Sequence, residues 1–370
     1  MSDLPGDDTT LGATGRGRAT RPAGPGRGTT ALLVSVFLLV VVAAGLTFVP
    51  LPYVVLSPGP ATNVLGTVDG EPVLSVEGAE TYPTEGALDF TTVAFDGGPG
   101  RKVTVYQLLE AGLRSDVETA PESLYFPPDT SQDDVEAQNA ELMADSQTVA
   151  AATALRALGR DVPTVVQVAD VAADGPSADV LRSGDRILSV DGTATTDAAA
   201  VAAAVQERTP GDEVEIRLRR DGSERTVGIT TEDVQDRAVI GVYLRTDYDL
   251  PVTVTLNTGR VGGPSAGLMF TLAIYDALTP GPLTGGQRIA GTGTIADDGT
   301  VGPISGIRQK MVGAQEAGAR WFLAPVEDCA DARGHVPDGM EVFEVSTFEQ
   351  ARSAVEAIAA GDTSGLTRCG

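Results

Sequence analysis

Two side chains in this 370-residue sequence have the type and setting for covalent chemistry, Ser265 and Lys310, 45 residues apart. Ser265 sits in Thr258-Gly259-Arg260-Val261-Gly262-Gly263-Pro264-Ser265-Ala266-Gly267, a glycine-rich turn that runs into LMFTLAIYDAL. That run is apolar on nearly every side, which predicts a buried helix starting near Ser265. A serine there projects its hydroxyl from a tight turn, beside the free N–H groups of a first helical turn that can stabilise an oxyanion. The same position also suits a plain helix N-cap. Lys310 draws attention by its rarity. Only two of the 26 basic residues are lysines, Lys102 and Lys310, so positive charge as such is nearly always supplied by arginine. A lysine can lose its proton when buried and an arginine cannot, which makes Lys310 a candidate general base. Lys102, in the polar turn Gly98-Pro99-Gly100-Arg101-Lys102, reads as a solvated charge. An exposed helix lysine is the alternative reading of Lys310.

The elements that must position these groups are legible around them. Strands are expected at AVIGVYL (238–244) and PVTVTLN (251–257), ahead of the serine turn. Lys310 follows Val301-Gly302-Pro303-Ile304-Ser305-Gly306-Ile307-Arg308-Gln309 and opens a helix, KMVGAQEAGA, that feeds the apolar strand WFLAP. Gly263-Pro264-Ser265-Ala266-Gly267 also fits G-x-S-x-G, the nucleophile elbow of α/β-hydrolases, with the only histidine, His335, following in the required order. An elbow needs a strand running directly into the serine, whereas here seven loop residues follow Asn257. His335 lies in DARGHVPDG, the setting of a solvated loop histidine.

Upstream, residues 162–233 form a module of their own: VPTVVQVADV, the turn DGPSAD, VLRSGDRILSVDG, a helical run TTDAAAVAAAVQER, and the strands EVEIRLRR and ERTVGIT around Asp221-Gly222. Asp-Gly between two alternating runs predicts a hairpin. Through Leu181-Arg182-Ser183-Gly184-Asp185-Arg186-Ile187-Leu188-Ser189-Val190-Asp191-Gly192 this segment resembles a PDZ domain. The resemblance implies that a peptide adds as an extra strand beside a helix. No carboxylate-binding glycine loop is recognisable ahead of Val165.

The segment from about Val239 to Ala360 resembles the proteolytic domain of Lon peptidases, in particular their membrane-bound, PDZ-containing relatives. In that family the serine of Gly-Pro-Ser-Ala-Gly is the nucleophile and the lysine after Gly-Ile/Leu-x-x is its base, which fall on Ser265 and Lys310. A threonine eighteen residues before the lysine helps to position the amine, and that offset lands on Thr292 in Gly291-Thr292-Gly293-Thr294. The resemblance thus implies an ATP-independent Ser/Lys endopeptidase, with the loop residues Gly263, Pro264 and Ala266 shaping the oxyanion site. Relatives of this kind often form rings, so it also implies a homo-oligomer. One departure is that many Lon enzymes carry an acidic residue three before the nucleophile, where this chain has Gly262. A non-catalytic PDZ adaptor displayed at a membrane is the competing reading from another class.

Composition frames these motifs. With 51 acidic against 26 basic residues the net charge is −25, which argues against nucleic acid as a partner. No G-x-x-x-x-G-K-[ST] segment offers a site for ATP, and no H-E-x-x-H or Cys/His cluster offers one for zinc, so neither a cofactor nor a metal is expected. Residues 31–49, ALLVSVFLLVVVAAGLTFV, are long and apolar enough to cross a lipid bilayer as a helix. Arg16, Arg18, Arg21 and Arg27 precede the span and the next basic residue is Arg101, which predicts a cytoplasmic N-terminus and extracytoplasmic PDZ and peptidase domains. Cys329 and Cys369 would then face an oxidising compartment and form a disulfide. The expected substrates are exported or membrane-associated polypeptides. The expected fold class is α+β: a disordered cytoplasmic tail (1–30), a transmembrane helix (31–49), a β-rich juxtamembrane region with a long helix (50–160), a PDZ-like domain (161–235), a Lon-type proteolytic domain (238–360) and a C-terminal tail (361–370).

Overall fold

The computed structural model describes residues 27–46 and 49–369, so the tail expected over 1–30 falls almost wholly outside the described residues. The chain divides into two compact units, Met1–Leu51 with Thr104–Tyr106, and Pro52–Val103 with Gln107–Gly370. The first carries helix α1 (Arg27–Leu46), which begins four residues before the expected span. Within it, Gly28–Leu46 is long and apolar enough to cross a membrane, a property that anchors and signal sequences share.

The second unit opens with β1 (Tyr53–Asn63), β2 (Leu74–Glu77), β3 (Ala87–Gly97) and β4 (Glu118–Pro121). Helix α2 (Gln132–Ala157) follows, and it starts where the sequence says it should. Ser131 and Asp134 form a reciprocal capping box that satisfies two orphan N–H groups. Its C-terminal half is buried from Ala150 to Leu155.

Next comes the PDZ-like sheet: β5 (Thr164–Val171), β6 (Arg186–Val190), helix α3 (Ala198–Gln206), β7 (Glu213–Arg220) and β8 (Ser223–Thr230). β7 and β8 are a two-residue hairpin, with Asp221 and Gly222 at φ 51° and 76°. Alternation in β7 buries Val214, Ile216 and Leu218, which pack with Val166, Val168, Ile187 and Val201 in one apolar core. The strand expected over 238–244 needs correction. β9 (Val242–Tyr248) does not join the C-terminal domain; it pairs antiparallel with β5 and forms the edge of the PDZ sheet, in the order β8-β7-β6-β5-β9. Its alternating, half-exposed side chains suit an edge strand rather than a buried one.

The main elements of the C-terminal part are β10 (Thr253–Leu256), α4 (Gly267–Ala277), β11 (Arg288–Gly291), α5 (Ile307–Glu316), β12 (Trp321–Pro325), α6 (Cys329–Ala332), β13 (Glu341–Val345) and α7 (Phe348–Ala360). The central sheet runs β13-β12-β11-β3-β1-β4, parallel from β13 to β3 and antiparallel beyond. Strands from the segment expected as a separate juxtamembrane region are therefore half of the C-terminal domain's own sheet. β3 is hydrogen-bonded to β11, with Leu88 opposite Ile289. β2 likewise pairs with β10. The physical reason is burial: Ala87 to Thr91 are all buried, so β3 needs a neighbour on each side and a layer on each face. Helices α2, α4 and α7 share one apolar cluster with β3 and β11, and α5 packs with β12 and α6 in another.

Candidate active site

Ser265 is held by three separate parts of the chain. The loop before it is tied to α2: the Gly263 N–H donates to the Asn139 carbonyl at 2.9 Å, and the Ser146 hydroxyl donates to the Pro264 carbonyl at 3.0 Å. After it, α4 starts at Gly267 with Ala266 as N-cap. The segment following β11 secures its carbonyl, which accepts from the Gly293 N–H at 2.9 Å and the Thr292 hydroxyl at 3.0 Å. The N–H groups of Ser265 and Ala266 have no acceptor among the described residues. Small residues here are a packing requirement. A Cβ at Gly267 would stand 2.9 Å from both the Ser146 hydroxyl and an Ile295 methyl, and one at Gly262 would stand 2.8 Å from the Asn139 Cβ. α2 thus occupies the space that a side chain at Gly262 would need.

Lys310 lies in the first turn of α5, which leaves Gly306 in the left-handed conformation at φ 72°. Its side chain is 3% exposed. The amine donates to the Ser265 hydroxyl at 2.8 Å and to the fully buried Thr292 hydroxyl at 3.0 Å. Thr292 therefore accepts from the amine while donating to the Ser265 main chain, so one hydroxyl sets the separation of the other two groups. Burial pushes the amine down to about 7, opposed in part by the negative charge of Asp328. An amine at that value is substantially neutral at pH 7, and its lone pair can take a proton from the serine. His335 is exposed and, among the described residues, bonds only within its own turn, through the Arg333 and Ala332 carbonyls, outside the hydrogen-bond network of Ser265.

Residues 246–357 match the family described as the Lon protease (S16) C-terminal proteolytic domain. The C-terminal domain is a Lon proteolytic domain. Residues 137–231 match the PDZ domain family, so a PDZ domain precedes it. That match starts inside α2, which packs chiefly against α4 of the Lon domain and also touches β9 of the PDZ sheet, and it stops short of β9. Among relatives, the chain is 31% identical over 156 residues to Lon protease of Phenylobacterium zucineum, covering 40% of this chain and 19% of that protein. It is 38% identical over 106 residues to Lon protease 1 of Sorangium cellulosum, covering 28% of this chain and 13% of that protein. The chain thus spans less than a fifth of the length of these relatives. The PDZ domain of the SdrC-like protein from Listeria monocytogenes is 30% identical, covering 21% of this chain and 85% of that one, at a TM-score of 0.21.

Several groups that shape the Lon site carry no signal in the sequence. Asn139 and Ser146 belong to a helix more than a hundred residues away, and nothing in α2 marks them out. Asp328 is an ordinary acidic residue in PVEDCADA until the fold brings it to the Lys310 loop. Cys329 and Cys369 are joined by a disulfide, and both are buried in the cluster that holds the inner face of α5. The tail to which Cys369 belongs is itself ordered beside β13, through the Cys369 N–H to the Val342 carbonyl and the Glu344 N–H to the Thr367 carbonyl, each at 3.0 Å.

Proposed function

We propose that this protein is an ATP-independent serine endopeptidase in which Ser265 is the nucleophile, Lys310 the general base and Thr292 the residue that positions the amine. The observation that carries this reading is the 2.8 Å contact between Lys310 Nζ and Ser265 Oγ in a buried, low-dielectric setting. The neutral amine takes the hydroxyl proton as Ser265 Oγ bonds to a peptide carbonyl carbon. The carbonyl oxygen becomes an oxyanion, for which the Ser265 and Ala266 N–H groups are suited by their lack of other acceptors. The resulting ammonium returns its proton to the departing amine as the C–N bond breaks. Water then cleaves the acyl-enzyme by the same route in reverse, with Lys310 as base for the water.

The PDZ domain would bind polypeptide at its β9 edge. What supports this is that β9 is an outer strand, with the Ala198 N–H at the start of α3 donating to its Thr246 hydroxyl at 3.4 Å, so a groove wall and a helix stand side by side. We read α1 as the anchor, with the arginine-rich N-terminus cytoplasmic and the PDZ and Lon domains outside, acting on exported or membrane-associated polypeptides. The test of the chemistry is peptide cleavage by the full chain in detergent, comparing Ser265→Ala, Lys310→Arg and His335→Ala. Loss in the first two with activity kept in the third is the expected result. Full activity in Lys310→Arg would sink the reading, because a guanidinium cannot serve as the base. Cysteine-accessibility labelling from each side of the membrane tests the topology, and modification of residues beyond Pro50 from the cytoplasm alone would overturn it.

A further inference from the structure

The segment between β12 and α6 ends in Asp328, which is bonded to the turn ahead of α5. Asp328, 7% exposed, accepts the Ile304 N–H on Oδ2 at 3.0 Å. Ile304 belongs to the turn from which α5 starts, and Lys310 is tied to the same turn through its own N–H, bonded to the Gly306 carbonyl at 3.0 Å. One bond therefore links the Asp328 carboxylate to the backbone that aims the amine. The neighbouring residue, Cys329, is bonded to Cys369, so the carboxylate is carried on a segment fastened at its far side. Lys310 makes hydrogen bonds to Ser265 and Thr292, and no ion pair with Asp328 among the described residues. The carboxylate thus acts on the amine through space, without competing for its donor positions.

We propose that Asp328 is a positioning residue for the Lys310 amine: its carboxylate fixes the turn that starts α5 and presents a negative charge that keeps the buried amine basic enough to take the serine proton. This rests on the Ser265/Lys310 reading. β1, β3, β12 and α6 pack against or beside α5, and among the described residues Asp328 is the one charged side chain that acts on the amine. The charges that act on Asp328 are those of Lys310, Glu327 and Asp331. Burial raises the pKa of its own carboxyl, while the Ile304 N–H and the Lys310 charge favour the ionised form. Burial alone would drive the amine further down than about 7, making it a weaker base; the carboxylate opposes this.

The test is the pH dependence of kcat/KM for peptide cleavage by the full chain in detergent, for wild type and Asp328→Asn, with thermal melting to check folding. The amide keeps an oxygen for the Ile304 N–H and removes the charge, so the acid limb should move to lower pH while the limiting rate at high pH falls severalfold. Asp328→Glu, which retains the charge, should return the limb toward that of wild type. If Asp328→Asn does not fold, Asp328→Ser provides the same removal of charge in a smaller side chain and should move the limb the same way. A purely structural role would lower the rate without moving the limb, and that result would overturn the proposal. Lys310→Arg in the same assay separates the two levels. Activity there removes the base itself and Asp328's role with it, whereas a dead Lys310→Arg beside an unmoved Asp328→Asn limb removes only the latter.

Discussion

At the scale of single residues, the protein places an amine where its protonation is finely balanced. With Lys310 at about 7, the base-competent fraction grows as pH rises through neutrality, so kcat/KM for peptide cleavage should climb from pH 6 to pH 8 and then level off. A profile flat across that range would argue against the amine as base. The same balance has a cost in stability. The folded value lies below the unfolded one of about 10.4, so between those values the unfolded chain binds more protons, and stability falls as pH drops from about 10 toward 7. Replacing Lys310 by methionine removes that penalty. Lys310→Met should therefore be more stable than wild type at pH 7, on the order of 2–4 kcal/mol after the loss of two hydrogen bonds, with the difference shrinking toward pH 10. Chemical denaturation at the two pH values measures it.

At the scale of elements, the Ser265 loop is a joint between α2 and α4. Gly262→Asp should disrupt it, because the new Cβ would meet the Asn139 side chain at 2.8 Å with the α2 backbone close behind. Peptide cleavage should drop at least tenfold while the melt of the PDZ domain is unaffected. Restored or raised activity would mean that the loop tolerates the acid found in many Lon enzymes. α4 also carries Asp276, fully buried, with Oδ1 accepting the Leu283 N–H at 2.7 Å and Oδ2 without a hydrogen-bond partner among the described residues. Burial raises its pKa from 3.8 to about 6. A carboxyl raised in the folded state loses stability as pH climbs from about 4 through 6. Asp276→Asn, which keeps an acceptor for Leu283, should then be more stable by about 1–3 kcal/mol at pH 7 and level with wild type near pH 4. Equal midpoints at both pH values would show that Asp276 is not held in this buried setting.

At the scale of the molecule, the disulfide closes a loop over residues 329–369 that contains α6, β13 and α7. Opening it frees the tail beside β13 and loosens the cluster behind α5. Cys329→Ser with Cys369→Ser should cost about 2–4 kcal/mol, read as a lower unfolding midpoint under non-reducing conditions. A midpoint equal to that of wild type would show that tail packing alone holds this end. The PDZ and Lon domains are joined by α2 on one side and β9 on the other. Arg156 on α2 donates to the Val162 carbonyl, pairs with Asp297 and lies over the Tyr248 ring at 5.2 Å, so the exit from α2, the end of β9 and the turn after Ile295 meet at one guanidinium.

The sequence by itself singled out the candidate residues for the proposed chemistry and determined the local elements. One of only two lysines in an arginine-dominated chain, its spacing from Ser265 and Thr292, the Ser131 cap and the Asp221-Gly222 hairpin are all local facts, fixed by side-chain type and by offsets of a few tens of residues. Tertiary structure alone decided which strands share a sheet and which carboxylate is tied to the turn ahead of the amine. β3 reads equally well as part of a separate β-rich region, because an apolar run states that it is buried without stating against what. β9 likewise carries an alternation that fits either neighbouring domain. The contacts of Asn139 and Ser146 with the serine loop, and of Asp328 with the Ile304 N–H, join residues 24 to 124 positions apart through single hydrogen bonds. Bonds of that kind leave no periodicity in a sequence, since they depend on where whole helices come to rest and not on the order of residues along the chain.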